Sequence, residues 1–399
     1  MAEEATSLTF PKEFLKFLEA NGIDTAVYTD ADNTPRYIRL KPGVEAQVED
    51  IENCLGCQLG RVSWLPGFYS LPRSIRIANS VFYQEGKVNC IFRQIYGVDA
   101  ASGAAVIALE ITHGDHILDL CTAPGAKLCM MLDYLRDSGS VTALDISRDR
   151  LSATRTMILK YGLGDRCRLF IADGTKFSLL PLRCLHDKPC KQLLDEKDRY
   201  VEWTSKVPWK LRQRLKRMKG HGGSLPVGET NLPELIFYGK DSGVVGREKK
   251  DIYHVACLGE YCTNGYDRVL VDAECTHDGS VAHIKKFDSW GWDTLHQRVL
   301  NAKRTDDLNI LQLNLLRNGY RLLKVGGTLV YSTCSLTVSQ NEDVVEQFLK
   351  ENASASLQPI NAATDWPCKT GRIQNTIRFD PLTSQTSGLF IAKIVKLPS

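Results

Sequence analysis

Strand-like apolar runs alternate with helical segments from about residue 104, and this rhythm is the strongest constraint on the fold. The first half opens with the strand-like "AAVIALEI" and continues with strand "HILDLC", helix "AKLCMMLDYLRD", strand "SVTALDI", helix "RDRLSATRTMILKYG" and strand "CRLFIADG". The second half comprises strand "DRVLVDAEC", helix "LNILQLNLLRNGYRLLK", turn "VGG", strand "TLVYSTCS", helix "NEDVVEQFLKE" and the closing segment "GLFIAKIVK". This alternation predicts an α/β fold with a mostly parallel sheet and helices on both faces.

The chain has 399 residues, which is long for a single domain. We therefore expect a small N-terminal α+β region, residues 1–88, followed by a larger domain, residues 89–399. In the N-terminal region "KEFLKFLE" (residues 12–19) predicts a short amphipathic helix and "RYIRLKPG" predicts an extended segment. Glycines, prolines and charges interrupt the rhythm at about 175–264, which predicts an insertion or a large loop region.

Composition excludes several classes of protein. No apolar run reaches the roughly 18 residues that a membrane span needs, and the start "MAEEATSLTF" does not have the layout of a signal or transit peptide. Thirteen cysteines, without a secretory signal, favour reduced thiols over a disulfide framework. We therefore expect a soluble intracellular protein, in the nucleus or the cytoplasm.

Two cysteine groups have the spacing of metal ligands. Cys54 and Cys57 form one pair, and "CLHDKPC" brings together Cys184, His186 and Cys190. Neither group has a clear matching second half. We therefore predict no metal site.

Basic residues are concentrated in the insertion. Residues 175–264 contain 17 lysines and arginines against 11 aspartates and glutamates, although the net charge of the whole chain is only +3. The densest part is "SKVPWKLRQRLKRMKGHGG", from Lys206 to Lys219 beside Trp209. This cluster fits a solvated helix face, a localisation signal or a phosphate-binding patch.

Three aspartates follow successive strands. Asp119 ends the first strand of "ILDLCTAPGAKL", before a turn through Pro124 and Gly125, and Asp145 and Asp173 end the next two strands. Carboxylates at this edge can bind a nucleoside, and the absence of a GxGxxG motif favours S-adenosylmethionine over a dinucleotide. The alternative is that each aspartate only caps a helix.

Cys334 follows an apolar strand in "LVYSTCSLTVSQNED", where a thiol can be a packing group or a nucleophile. The motifs "DLCTAPGAK", "VDAEC", "LLKVGGTLVYSTCSLTVSQNED" and "GLFIAK" resemble, in order, those of the NOL1/NOP2/Sun family of RNA cytosine-5 methyltransferases. The resemblance covers about residues 85–175 and 265–399. In addition, "RYIRLKP" looks like the family's N-terminal RNA-contacting segment.

This resemblance implies a class I, Rossmann-like methyltransferase fold, S-adenosylmethionine as cofactor and an RNA substrate, with tRNA favoured over rRNA. Cys334 would be the nucleophile and Cys275 would assist its release, while Asp272 and Lys127 would contact the target base. The implied cofactor-binding residues are Cys121, Thr122, Ala123, Pro124, Gly125, Lys127, Asp145, Arg150, Asp173 and Asp272.

Two positions depart from the family pattern. Glu274 replaces the proline of the usual Asp-Ala-Pro-Cys motif, and an acid beside a thiol would tend to raise the pKa of Cys275. Ala126 stands where the first motif commonly has a second glycine. Glu274 supports a rival interpretation, in which the protein is a catalytically silent RNA-binding protein that retains this fold.

Overall fold

The computed structural model describes residues 10–29, 34–75, 77, 94–182, 233–253, 255 and 258–398. The first described elements along the chain are α1 (Lys12–Ala20), α2 (Ala26–Thr29), β1 (Arg36–Leu40), a 3-10 turn (Glu45–Gln47), α3 (Val48–Leu55), β2 (Gly60–Arg61), β3 (Phe68–Leu71) and β4 (Ile95–Gly97). Strand β4 lies beyond residue 88, the expected end of the N-terminal region, and pairs with β1. The four strands form an antiparallel sheet in the order β2-β3-β1-β4. Helix α1 and strand β1 confirm the predicted helix and extended segment.

A second sheet forms the centre of the molecule. Its described strands are β5 (His116–Asp119), β6 (Ser140–Asp145), β7 (Cys167–Ile171), β8 (Glu234–Tyr238), β9 (Tyr266–Asp272), β10 (Leu323–Thr333), β11 (Ala355–Gln358), β12 (Lys369–Thr370), β13 (Thr376–Phe379) and β14 (Leu389–Lys396). Their order is β12-β13-β14-β10-β9-β5-β6-β7-β8, with β11 paired to β14. The central strands β10, β9, β5, β6 and β7 are parallel and their flanking neighbours are antiparallel, which confirms the predicted sheet.

The rest of the chain contains the remaining described helices, some of which cover both faces of this sheet. They are α4 (Ala100–Ile107), α5 (Ala126–Leu135), α6 (Arg148–Tyr161), α7 (Lys249–Ile252), α8 (Leu258–Asn264), α9 (Val281–Ile284), α10 (Lys286–Trp290), α11 (Trp292–Leu295), a π turn (His296–Leu300), α12 (Ala302–Leu322), α13 (Glu342–Glu351) and α14 (Pro381–Ser384), with 3-10 turns at Gly164–Arg166 and Asn361–Asp365. Helices α4, α5 and α6 share one apolar core, and α8, α12 and α13 share another. None of the described helices is long and apolar enough to cross a membrane.

One predicted strand is a helix. The first half of the segment "AAVIALEI" lies within α4, whose first turn is capped by the Asp99 carboxylate accepting a hydrogen bond from Ala101 N at 3.0 Å. Alanines on several sides of α4 are buried, including Ala100, Ala104 and Ala105. The strand prediction was wrong because a short apolar run that is buried all round has no periodicity to separate helix from strand.

The interrupted region also contains regular structure that the sequence did not reveal. Strand β8 pairs antiparallel with β7 and extends the sheet by one strand, and α7 and α8 follow it. Residues 183–232, which include the basic cluster from Lys206 to Lys219, lie outside the described residues. The phosphate-contact interpretation of that cluster stays a prediction.

A buried ion pair joins the N-terminal sheet to the larger domain. Arg39 of β1 donates to the Asp133 carboxylate of α5 at 2.6 Å, and both side chains are almost fully buried. The Arg39 guanidinium also lies 5.2 Å from the centre of the Tyr96 ring. Burying a charge is costly unless it is paired, so each partner stabilises the other in this position.

We expect Asp133→Ala to lower the free energy of unfolding by about 3–5 kcal/mol, because the Arg39 charge would remain buried without a partner. Urea denaturation would measure the change. The matched control is Glu351→Ala, which breaks a partly exposed pair of similar length, Arg317 to Glu351 at 2.6 Å. A loss for Asp133→Ala no larger than that of the control would contradict a stabilising role for the buried pair.

Candidate active site

The carboxyl ends of the parallel strands open into a cavity of about 700 Å³. Asp145 and Asp272 end β6 and β9, and Cys334 directly follows β10. The predicted residues that line this cavity are Cys121, Ala123, Pro124, Lys127, Asp145, Arg150, Asp173, Asp272 and Cys334. Thr122 and Gly125 line an adjoining cavity of about 240 Å³, together with Asp119. The structure therefore brings most of the predicted residues together at one edge of the sheet.

Asp145 ties the turn after β5 to the end of β6. Its carboxylate accepts hydrogen bonds from Ser147 N at 2.9 Å and Ala123 N at 3.4 Å. Arg150 lies 3.5 Å from the same carboxylate and donates to the Ala123 carbonyl at 2.8 Å. Asp145 thus fixes the loop that carries the first motif.

Helix capping does not account for the aspartates of this edge. The N-cap of α6 is Ser147, whose hydroxyl accepts from Arg150 N, and the N-cap of α5 is Gly125. Asp173 accepts hydrogen bonds from the backbone N–H and the hydroxyl of Thr175, and it also lines the cavity. The helix-cap alternative is wrong for Asp119 and Asp145.

Asp119 is buried with an incomplete set of hydrogen bonds. One carboxylate oxygen accepts from Cys121 N at 3.3 Å, while the other makes no hydrogen bond of ordinary length within the described structure, and the nearby Thr122 hydroxyl only counteracts part of the effect of burial on the pKa of Asp119. Burial raises the pKa of Asp119 to about 7. A buried polar atom without a partner is costly, so this oxygen calls for a donor from outside the chain.

Lys127 and Asp272 form a charged pair in the cavity wall. The Lys127 ammonium lies 2.6 Å from one oxygen of the Asp272 carboxylate, and the Ser332 hydroxyl donates to the other oxygen at 2.7 Å. Burial alone would lower the pKa of Lys127, but the Asp272 carboxylate outweighs it and the net shift is upward. Lys127 therefore stays charged beside the thiol of Cys334.

The two predicted cysteines are in contact. The Sγ atoms of Cys275 and Cys334 lie 3.3 Å apart. Cys275 is 1% exposed, whereas Cys334 is half-buried and lines the cavity. Cys334 is thus the thiol that a substrate in the cavity can reach.

His277 lies against both sulfurs, and the sequence did not reveal it. Its Nδ1 atom is 3.0 Å from the Cys334 Sγ and 3.7 Å from the Cys275 Sγ. A hydrogen bond from the Cys334 thiol and a second contact with His277 lower the pKa of Cys275 to about 6. The same thiol–thiol bond, together with burial, raises the pKa of Cys334. The signal available in the sequence was the spacing of His277, two residues after Cys275.

Buried polar side chains hold the two cysteine loops together. Asn341 accepts from the Thr333 hydroxyl at 2.6 Å and donates to the carbonyls of Ser335 and Thr337. The Gln340 amide oxygen accepts from Thr276 N at 3.0 Å. This network explains why the cysteine motif includes an asparagine seven residues after Cys334.

Glu274 is bound by Arg304 and not by a thiol. Its carboxylate is paired with Arg304 at 3.0 Å, and the Gln312 amide donates to its backbone carbonyl at 2.8 Å. The expected upward shift of the Cys275 pKa is wrong, because the neighbouring thiol and His277 lower it. The bond from Gln312 helps to fix the backbone where the usual motif has a proline.

The two groups with the spacing of metal ligands gain no support as metal sites. Cys54 is exposed, and within the described residues neither Cys54 nor Cys57 belongs to a group of three possible ligands. Cys184, His186 and Cys190 lie outside the described residues. The absence of a metal site stays a prediction.

A family model described as 16S rRNA methyltransferase RsmB/F matches residues 106–217 and 248–395, which is more than half of the chain. The chain belongs to this family. The match covers both cysteine motifs and the turn after β5, and it confirms the resemblance to NOL1/NOP2/Sun RNA cytosine-5 methyltransferases.

The names of relatives in the family specify different RNA substrates, tRNA for some and rRNA for others. The chain is 33% identical to a tRNA (cytosine(49)-C(5))-methyltransferase of Pyrococcus abyssi over 350 residues, which is 85% of this chain and 80% of the relative. It is 24% identical to the rRNA (cytosine-C(5))-methyltransferase NOP2C of Arabidopsis thaliana over 82% of this chain and 58% of that relative. The chain spans about half of the length of several curated relatives.

A solved structure shares the fold. The crystal structure of NSun6 from Pyrococcus horikoshii with SFG superposes with a TM-score of 0.60 at 16% identity, covering 98% of this chain and 99% of that one. The likeness confirms the class I methyltransferase fold.

Proposed function

We propose that this protein transfers a methyl group from S-adenosylmethionine to C5 of a cytosine in RNA, through a covalent bond between Cys334 and C6 of the base. The observation that best supports this proposal is the contact between the two thiols, whose sulfur atoms lie 3.3 Å apart. One of them, Cys334, lines a cavity that is also lined by Lys127 and Asp272. Packing alone does not require two thiols in contact at a cavity edge.

The cavity residues fit S-adenosylmethionine. The volume of the cavity, about 700 Å³, lies within the range of small-molecule sites. Asp145 would bind the ribose hydroxyls and Asp173 would lie near the adenine. The unpaired oxygen of Asp119 would accept from the cofactor's ammonium group. The bound cofactor supplies a methyl group on a sulfonium, which accepts an electron pair from carbon.

The reaction needs a nucleophile because C5 of cytosine has no free electron pair. Addition of the Cys334 sulfur to C6 breaks the ring's conjugation and moves the C5–C6 π electrons to C5, which can then attack the methyl group. Asp272 accepts a hydrogen bond from the amino group of the base, and Lys127 stabilises the charge that develops on the ring. Removal of the C5 proton then restores the double bond and expels Cys334.

We infer that the substrate is tRNA, with rRNA as the alternative. The name of the Pyrococcus relative, which matches 85% of this chain, supports tRNA. The description of the family model and the name of the Arabidopsis relative support rRNA. Unpaired cytosines in loops are the easier targets, because the base must leave its stack to enter the cavity.

Bisulfite sequencing of RNA from cells with and without the gene tests the proposal. We expect one or a few tRNA cytosines to lose their methylation in the deleted cells. A lost rRNA site would favour the alternative substrate. If every methylated cytosine were retained and the protein still bound cofactor, the silent RNA-binding interpretation would replace this proposal.

The cofactor site has its own test. We expect Asp145→Ala to weaken S-adenosylmethionine binding at least tenfold in calorimetric titration, because hydrogen bonds to a charged acceptor are each worth about 1.5–3 kcal/mol. The matched control is Asp149→Ala, since Asp149 is exposed on α6 and does not line the cavity. Unchanged affinity of Asp145→Ala would remove Asp145 from the site.

A further inference from the structure

We propose that His277 is a further catalytic residue, which takes the proton of the Cys334 thiol as that thiol attacks the base and returns it on release. The inference rests on the proposed function and adds a second proton acceptor to it. Its geometric basis is the distance of 3.0 Å between His277 Nδ1 and the Cys334 Sγ.

Proton accounting leaves a place for such a group. When the C5 proton leaves, the sulfur of Cys334 is still bonded to C6, so the thiol proton of Cys334 has already moved to another group or to solvent. Cys275 is the family's group for the release step and can hold only one proton. Cys275 is therefore reserved for the C5 proton. Among the other described residues, His277 Nδ1 is the proton acceptor closest to the Cys334 sulfur.

The full step balances with two acceptors. The thiol proton of Cys334 moves to His277 Nδ1, the sulfur pair forms the S–C6 bond, and the C5–C6 π pair attacks the methyl group. The methyl–sulfur bond breaks and its electron pair stays on the cofactor's sulfur. Cys275 thiolate then takes the C5 proton, the C5–H pair restores the double bond, and Cys334 leaves as a thiolate that His277 reprotonates.

The backbone of His277 supports a role for its side chain. Its φ is +57°, in the left-handed region that residues other than glycine rarely adopt. The next two residues fix the loop, because Asp278 accepts from Leu336 N at 2.7 Å and Gly279 N donates to the Cys334 carbonyl at 2.9 Å. A glycine would adopt this φ without strain, so a histidine here costs conformational energy that its contacts with the two sulfurs offset.

The charges around His277 set its proton affinity. Its hydrogen bond to Cys275 raises its pKa above the ordinary histidine value despite burial. The ionisable groups that face it are Cys275, Cys334, Asp272, Glu274 and, on the side of α9, His283 with ring centres 5.4 Å apart. Attack needs the neutral imidazole, so adduct formation should increase as the pH rises through this raised pKa.

Alkylation of Cys334 by iodoacetamide tests the inference without RNA. In a Cys275→Ala background, His277 loses the hydrogen bond that raises its pKa, so its profile should lie at lower pH than in the parent protein. With a chelator present, mass spectrometry would follow the alkylated Cys334 peptide from pH 5 to 10. We expect His277→Asn, which tolerates the same backbone and cannot take the proton, to react at least tenfold more slowly at pH 7. The difference should narrow as the pH rises, because hydroxide can then take the thiol proton of Cys334 without His277.

Two further variants separate chemistry from folding. His277→Gly removes the backbone strain and should lose reactivity as His277→Asn does, whereas His113→Asn, which changes an exposed histidine away from the cavity, should match the parent. Superimposable pH profiles for the parent, His277→Asn and His277→Gly would overturn the inference.

The rate at which the covalent RNA adduct forms is the second measurement. In the same background, we expect His277→Asn to slow formation of the covalent RNA adduct at pH 7 by about a hundredfold, within the usual range for general-base catalysis. An alkylation profile shifted as expected, with no RNA adduct in any variant, would support the proton exchange and contradict the proposed function.

Discussion

Cys334→Ala should abolish both methylation and the covalent RNA adduct, with activity reduced about a thousandfold or more, as expected when a nucleophile is removed. Cys334 is the thiol that lines the cavity, whereas Cys275 lies behind it and is 1% exposed. Cys121 also lines the cavity, but burial and the carboxylates of Asp119 and Asp145 raise the pKa of its thiol, so we expect that it does not replace Cys334 in activating C5. Transfer of a labelled methyl group and a denaturing gel with labelled RNA would measure the two losses.

The control for this variant is Cys54→Ala, which removes an exposed thiol on α3. It should retain full activity. Cofactor binding by Cys334→Ala should also be retained, since Asp145 and Asp173 are unchanged. If Cys334→Ala still formed an adduct and Cys275→Ala formed none, the roles of the two cysteines would be reversed.

The strand-end residues were predictable because their placement follows from chain order and sheet geometry. The carboxyl ends of neighbouring parallel strands meet at one edge, so a parallel sheet brings Asp145, Asp272 and Cys334 together without any knowledge of side-chain packing. The resemblance to the family then supplied roles for those residues, which the positions alone did not.

Other features depend on contacts between distant residues, which the sequence does not state. His277 and Cys334 are 57 residues apart, and only the folded loops bring them to 3.0 Å. The direction of the Glu274 side chain depends on Arg304, which is 30 residues further along the chain. Strand β8 was missed because a region rich in Gly, Pro and charges precedes its short apolar run.

The sequence suggested that Glu274 supports a catalytically silent RNA-binding protein, because an acid there would raise the pKa of Cys275. The contacts of Glu274 and Cys275 weaken that argument. Its carboxylate is held by Arg304 at 3.0 Å, and Cys275 has a pKa of about 6. In the free protein the lowered pKa favours the Cys275 thiolate, which is the form needed to accept the C5 proton, and His277 still favours it once the Cys334 sulfur is bonded to C6. The release step should therefore slow as the pH falls and Cys275 becomes protonated.

Cys275→Ala should allow attack and methyl transfer but block release, leaving a denaturant-resistant complex of protein and RNA. Cys334 keeps its access to the cavity and His277 still accepts its proton, so the adduct forms. The variant lacks the Cys275 thiolate, whose sulfur lies 3.3 Å from the Cys334 sulfur in the parent protein. No thiolate therefore remains there to receive the C5 proton. Turnover should stop at about one methyl group per protein, and a denaturing gel would show the complex.

Glu274 is the residue that could bypass this block, since it also lines the cavity. If its carboxylate leaves Arg304 and takes the C5 proton, the complex of Cys275→Ala will be transient and turnover partly retained. The double variant Cys275→Ala with Glu274→Gln separates the cases, because the amide cannot accept the proton. A stable complex in the double variant alone would assign the bypass to Glu274. Free turnover in both variants would show that Cys275 has no part in release.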